Sequence, residues 1–246
     1  MNRKEIQSLQ HPLVKHLVKL YKESGYREEK KALLIEGEKQ ISEYRGEISL
    51  LITTQDAPLP PHLNPKTHLI VPFSIIQKIS GLSSPEPFLA EVPFPTPESL
   101  EEKALLLALD QIQDPGNLGT LLRSALAFGF EGVFLVNCCD PFNPKALRAA
   151  KGATFLLPLQ KEGMDSFLFH VEKSTHLLYI ADKQGEELSM QPPLILVLGN
   201  EAHGPSELLK RKGKMISIPI DPKIESLNVA VAGSILMHQV QKSLKA

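Results

Sequence analysis

The spacing of apolar positions changes character along the chain. Leu13, Leu17 and Leu20 stand at i, i+4 and i+7 behind Pro12, so the pattern predicts a helix over Pro12–Tyr21 with proline at its first position. Short apolar runs follow at Ala32–Ile35, Ser49–Thr53, His68–Val71 and Phe88–Val92, and each reads as a strand. Helical spacing returns near Lys39–Tyr44 and Ser74–Lys78. Residues 1–92 are therefore expected to form a small α/β unit. Pro93, Pro95 and Pro97 remove ladder donors and stiffen the path, which places a linker over residues 93–98.

From Leu105 onward the runs are apolar throughout rather than alternating: Leu105–Leu109, Val133–Val136, Leu177–Ile180, Leu194–Leu198 and Met215–Ile218. A strand apolar on both faces needs helices on both faces, as in a parallel sheet. Helical patterns do intervene, at Leu118–Phe128, Pro144–Lys151, Met164–Lys173 and Leu227–Lys242. Residues 99–246 thus read as a second α/β domain, roughly doubly wound.

Composition narrows the class. At 246 residues the chain has room for one large or two small domains, and 42% hydrophobic with 22% charged residues can bury a core. No apolar run is long enough to span a bilayer, and the Met1-Asn2-Arg3-Lys4 start leads into polar sequence, so a cytoplasmic protein is expected. The two cysteines, Cys138 and Cys139, are adjacent; they cannot staple distant segments and lack metal-ligand spacing. A net charge of -1 excludes wholesale coating of nucleic acid. Charge is uneven, however: residues 1–31 carry eight Lys and Arg against four Glu, either a nucleic-acid surface or solvated helix faces.

In open α/β sheets ligands bind beyond the carboxyl ends of the strands, and three loops there stand out. The first, Asp110 to Arg123, opens a helix, with Asn117 placed to cap it and Thr120 and Arg123 neighbours on its polar face. The second, Gly199-Asn200-Glu201-Ala202-His203-Gly204, follows the apolar strand Leu194–Leu198. Its glycines admit close approach of a ligand, and Glu201 puts a carboxylate at the strand end, where hydrogen bonding or pairing, with Arg123 among the partners, would offset desolvation. The third, Ile218-Pro219 through Ser226-Leu227-Asn228, leads into Val229-Ala230-Val231-Ala232-Gly233-Ser234, small residues suited to close helix packing. No dinucleotide fingerprint, phosphate loop, nucleophile elbow or H-E-x-x-H pair is present.

Asn117-x-Gly119-x-x-x-Arg123, Gly199-x-Glu201-x-x-Gly204 and Ile218-Pro219 with Ser226-Leu227-Asn228-Val229-Ala230 resemble, in order and spacing, the three motifs of the SpoU (TrmH-like) RNA 2′-O-ribose methyltransferases of the SPOUT class. Gln10-His11-Pro12-Leu13, Ile35-Glu36-Gly37 and Phe88-Leu89-Ala90 are similar to markers of the small ribosomal-protein-like, substrate-binding domain of larger members. The resemblance implies a deep trefoil knot in the C-terminal domain, S-adenosylmethionine as cofactor with no metal, structured RNA as substrate with ribosomal RNA ahead of transfer RNA, and a homodimer with sites at the interface. The apolar positions Val229, Ala232, Ile235, Leu236 and Val240 of the last helix supply a face for that dimer.

Carried over residue by residue, the resemblance makes Arg123, Asn117, Glu201, Ser226 and Asn228 the catalytic set, and Gly199, Ile218 and Leu227 the cofactor-binding set. A guanidinium with a pKa above about 12 is a poor base, so for Arg123 a phosphate and electrostatic role competes with proton abstraction. Asn117, Ser226 and Asn228 have a capping reading as well, and Ile218 and Leu227 a core-packing one. His203 has no matched role. Lys145, Arg148 and Lys151 read as a basic helix face, facing RNA or solvent. Ala150 departs from the family by standing where many members carry serine. Without tryptophan and with only 6% aromatics, RNA recognition is expected to rest on shape and backbone. Two further readings stay open: an RNA-binding assembly factor that lost catalysis, and a small-molecule α/β enzyme.

Overall fold

The computed structural model describes residues 2–187 and 190–244; Met1, Leu188, Ser189, Lys245 and Ala246 lie outside. Two compact units emerge: residues 1–96 with 142–148, and residues 97–141 with 149–246.

The first unit holds β1 (Asn2–Glu5), α1 (Pro12–Lys22), α2 (Ser24–Lys30), β2 (Ala32–Glu36), α3 (Glu38–Glu43), β3 (Leu50–Thr53), β4 (Thr67–Ile70), α4 (Phe73–Ser80) and β5 (Phe88–Pro93). Its mixed sheet runs β1-β4-β3-β5-β2, with β1, β4 and β3 parallel and β5 antiparallel to both its neighbours. The predicted stripe Leu17 and Leu20 is fully buried, packed with Ile52, Leu69, Ile75 and Ile79. Two elements have no apolar signature. Strand β1 is exposed at every position, and α2 buries only Arg27, whose guanidinium donates to the carbonyls of Leu20 and Tyr21. Hydrogen bonding to neighbouring backbone builds both, which a hydrophobic pattern cannot register.

The second unit contains β6 (Leu105–Asp110), α5 (Pro115–Ala127), β7 (Gly132–Val136), the end of α6 (Pro144–Ala150), β8 (Leu159–Glu162), α7 (Met164–Lys173), β9 (Leu177–Glu186), β10 (Leu194–Leu198), α8 (Glu207–Lys210), β11 (Lys214–Ile216) and α9 (Val229–Leu244). Its six strands are all parallel, in the order β11-β9-β10-β6-β7-β8. Successive side chains of the central strands go to opposite cores. Leu107, Leu109, Leu196 and Leu198 meet Leu118, Leu121, Leu122, Leu236 and Met237 on one face, while Leu106, Ala108, Ile195 and Val197 meet Phe167 and Leu209 on the other. Each such leucine, fully buried, contributes roughly 1.5–3 kcal/mol. This double burial is why these strands read as continuous apolar runs.

Four expectations need correction. Helix α5 starts at Pro115 and its cap is Asp114, whose Oδ1 accepts the Asn117 N–H at 2.8 Å, so Asn117 sits inside the first turn. The strand expected over Met215–Ile218 is Lys214–Ile216. The last helix begins at Val229 because Asn228 caps it, its Oδ1 accepting from the Ala230 and Val231 amides at 2.9 and 3.3 Å. Finally, α9 buries Ala230, Gly233, Leu236, Met237 and Val240 in its own core and leaves Val231 and Ile235 exposed. Of the face assigned to a partner, Leu236 and Val240 are thus already used, Val229 and Ala232 are half-buried and Ile235 stays exposed. Residues 229–237 are small or apolar nearly all round, so spacing alone could not choose the inward face. A Cβ on Gly233 would come within 2.5 Å of Leu198 Cδ1 and 2.6 Å of Leu121 Cδ2, so glycine there sets how closely α9 lies on β10 and α5. Among the described residues no helix is long and apolar enough to cross a membrane.

Candidate functional site

The three loops meet at the carboxyl edge of the parallel sheet. Strand β10 delivers the second loop beside β6, which delivers the first. Asn200 stitches them, its Nδ2 donating to the Gln111 carbonyl at 2.9 Å while its Oδ1 accepts the amides of Ala202 and His203. Asp110, the buried last residue of β6, accepts the Ser206 amide at 2.8 Å and ties the far end of the same loop. Gly199 is buried where a Cβ would lie 2.1 Å from the Pro205 nitrogen; only glycine lets this loop fold back on itself. Sequence reading passed over Asn200 and Asp110. A polar residue ending an apolar strand was the available signal.

The side chains of Asn228, Asn117 and Glu201 form one hydrogen-bonded line. Asn228 spends its Oδ1 on capping α9, so its Nδ2 is left to donate, and it does so to Asn117 Oδ1 at 3.1 Å. With that oxygen occupied, Asn117 Nδ2 donates to Glu201 Oε1 at 3.1 Å. Each amide's orientation is dictated by its neighbours: a carboxylate accepts and a cap accepts, so the donors can point only one way. One residue from each loop is joined. Glu201 is exposed at the surface, so its partner is Asn117 and no desolvation penalty demands a pairing with Arg123.

The remaining catalytic candidates stand apart from this line. Arg123 is exposed on α5 and makes no hydrogen bond or ion pair among the described residues. Thr120 is exposed too, its hydroxyl donating back along the helix to the Gly116 carbonyl at 2.8 Å. Ser226 is exposed and borders a cleft of about 320 Å³. That cleft collects the cofactor candidates. Gly199, Ile218 and Leu227 line it with Leu198 and Leu236, and Glu201 and His203 border it too. Its size and its apolar wall with a few polar groups suit a small organic cofactor. Among the described residues no group of His, Cys, Asp and Glu could hold a metal.

Both cysteines are free and sit beside the first loop. Burial pushes the Cys138 thiol up to about 12; burial, then the carboxylates of Asp140, Asp114 and Glu201, push Cys139 up to about 11. Neither is a nucleophile at neutral pH. Arg148, though exposed, is paired: it donates to Glu36 at 2.9 Å and to the Tyr21 hydroxyl at 3.2 Å, within the first compact unit.

Residues 104–238 match the model of the SpoU rRNA Methylase family. The chain belongs to this family. Every candidate site residue lies inside the matched segment. Among relatives, the chain is 31% identical over 260 residues to an uncharacterised tRNA/rRNA methyltransferase of Synechocystis sp., covering 96% of this chain and 93% of that one. It is 28% identical over 248 residues to the 23S rRNA (guanosine(2553)-2′-O)-methyltransferase RlmP of Bacillus subtilis, covering 97% and 99%. Among solved structures, an AdoMet-bound rRNA methyltransferase from Sinorhizobium meliloti superposes with a TM-score of 0.85 at 25% identity over 98% of both chains. The α/β architecture with its parallel sheet is thus that of SpoU methyltransferases.

Proposed function

We propose that this chain is an S-adenosylmethionine-dependent enzyme that methylates a ribose 2′-hydroxyl in structured RNA, with ribosomal RNA as the substrate class. The observation that carries the reading is the Asn228–Asn117–Glu201 line, which joins one polar residue from each motif loop at the rim of a cofactor-sized cleft. The B. subtilis relative's name, a 23S rRNA 2′-O-methyltransferase, supports the same substrate class.

The donor set fits the cofactor: Ile218 and Leu227 offer apolar contact to a purine, and the backbone of the Gly199–Gly204 loop offers amides and carbonyls at close range. Bound there, S-adenosylmethionine supplies an electrophilic methyl group whose departure leaves a neutral thioether. The chain's own task is alignment and charge. Arg123, exposed and without a partner among the described residues, holds a substrate phosphate and lowers the cost of negative charge on the 2′-oxygen as its proton leaves. Asn117, anchored from both sides, fixes Glu201 and the first turn of α5 in one arrangement, and Ser226 contacts substrate or cofactor at the cleft mouth.

In the same reading, residues 1–92 form a substrate-binding domain that engages RNA through Lys15, Lys19 and Lys22, residues 93–98 are the linker, and residues 99–246 carry a deep trefoil knot. Two copies pair through exposed Val231 and Ile235, and the protein works in the cytoplasm alongside ribosomal RNA. Incubation with radiolabelled cofactor and total RNA, followed by mapping of ribose methylation, tests the activity. Label in ribosomal RNA at a 2′-oxygen supports it; no incorporation into any RNA makes the chain a silent assembly factor. Sedimentation equilibrium showing only a 27.2 kDa species at micromolar concentration would overturn the dimer.

A further inference from the structure

One charged pair in the cofactor cleft is used by none of the three motifs. Asp182 lies just past the part of β9 that pairs with β10, where the register of β9 against β11 breaks between Met215 and Ile216. Its side chain is only 8% exposed yet lines the cleft, as does Lys210. Lys210 Nζ is 2.9 Å from Asp182 Oδ2 and 3.0 Å from Glu207 Oε1, and the Gln184 amide donates to Asp182 Oδ1 at 2.9 Å. The carboxylate also abuts the second motif loop: a Cβ on Gly204 would stand 4.0 Å from Asp182 Oδ2. Burial works against the charge on Asp182, but the Gln184 amide and Lys210 more than offset it and hold the carboxyl below its ordinary range.

A carboxylate accepts about four hydrogen bonds, and Asp182 has two from the described residues, the Gln184 amide and Lys210. The side chain lines the cleft, so a ligand bound there can use its remaining acceptor capacity. Lys210 lies between two carboxylates, so a third, from the amino-acid tail of a cofactor, would add a negative charge to a cluster already net negative. Hydroxyl donors carry no such cost. We propose that Asp182, held in place by Lys210, accepts hydrogen bonds from the ribose hydroxyls of the adenosyl group and thereby selects a ribonucleoside ligand. This rests on the cofactor reading above and adds to it a side chain that specifies the sugar. A site built to hydrogen-bond a hydroxyl rejects the analogue lacking it, because the buried acceptor is then left unpaired.

The test is titration calorimetry on the full chain with three probes: S-adenosylhomocysteine, its 2′,3′-dideoxyribose counterpart, and 5′-methylthioadenosine, which has the ribose but no amino-acid tail. The wild type is expected to bind both ribose compounds about 10- to 100-fold more tightly than the dideoxy compound. Asp182→Asn should lose most of that preference, weakening the two ribose compounds together and leaving the dideoxy one unchanged. Asp182→Ala removes every side-chain acceptor at smaller volume and supplies the comparison if the asparagine variant does not fold. Equal binding of ribose and dideoxy forms by the wild type, or an unchanged preference in the variants, overturns the inference and leaves the cofactor reading standing. Weakening of S-adenosylhomocysteine without 5′-methylthioadenosine would place Asp182 at the tail and overturns it too. Failure of the wild type to bind any adenosyl compound overturns the cofactor reading and this inference together.

Discussion

Asn117 and Asn228, separated by 111 positions in the chain, are joined by one hydrogen bond of 3.1 Å from Nδ2 of the second to Oδ1 of the first. The same Asn228 caps α9 through its other amide atom. Capping and site assembly are therefore separable by substitution. Aspartate caps as well as asparagine but has no Nδ2 donor. Asn228→Asp is expected to keep the folding stability within about 0.5 kcal/mol of wild type while lowering turnover about 100-fold or more, the cost of losing one organising donor. Asn228→Ala should lose about 1 kcal/mol as well. Calorimetry beside a methyl-incorporation assay reads both; normal turnover in the aspartate variant would show that the line does not matter for catalysis.

Arg123 has no partner to lose among the described residues, so Arg123→Ala should leave stability unchanged and lower turnover by about 10² to 10⁴. Cofactor affinity should stay put, because Arg123 does not line the cleft. Arg123→Lys keeps the charge without the planar fork. A deep loss there would indicate bidentate phosphate geometry or proton transfer, whereas near-normal rates would indicate charge alone. Wild-type turnover in the alanine variant would refute the role given to Arg123.

Gly199→Ala places a methyl group against the backbone of Gly204 and Pro205, at 2.3 and 2.1 Å. Backbone cannot swing aside as a side chain can, so the loop must open. We expect about 1–3 kcal/mol of destabilisation and loss of measurable cofactor binding by calorimetry. Saturating cofactor at about 100 times Kd should stabilise the wild type by roughly 2.7 kcal/mol and this variant not at all.

With its thiol pushed up to about 11, Cys139 is roughly one part in a thousand thiolate at pH 8. Iodoacetamide should label the native protein slowly, accelerate as pH rises toward 11, and label the unfolded chain quickly at pH 8 by mass spectrometry. Fast native labelling at pH 8 would contradict the carboxylate-lined setting described for this thiol.

If the basic helix α1 meets RNA, replacing Lys15, Lys19 and Lys22 with glutamine should make the slope of log K against log salt shallower by about 0.9 for each lost duplex phosphate contact. An unchanged slope would make these residues a solvated face.

What the sequence could and could not declare follows from where the signal resides. Leu194–Leu198 was legible because both of its faces are buried, and Leu13, Leu17 and Leu20 because a single helix face is. The edge strands β1 and β8 are polar at nearly every position, with Leu159 the one apolar residue between them, and left no trace. At the site, spacing and resemblance nominated Asn117, Glu201 and Asn228, yet placed the cap of α5 at Asn117 when Asp114 does that work. Two acceptor-bearing side chains three residues apart compete for one capping task, and only the fold decides. Asp182 was invisible for a plainer reason: nothing local marks an aspartate whose partner, Lys210, arrives 28 residues later.

The contact between Asn117 in the first turn of α5 and Asn228 at the cap of α9 also brings the amino ends of two helices to within one hydrogen bond of each other. Aligned peptide dipoles leave each such end with a partial positive charge of about half a unit. That charge belongs to the backbone, so no change of pH removes it and no side-chain substitution deletes it. Two carboxylates, Asp114 on the amino end of α5 and Glu201 on Asn117, stand against that backbone charge. If a substrate phosphate docks at this edge, rate lost in an arginine variant therefore measures the guanidinium against a background in which backbone dipoles and carboxylates oppose each other.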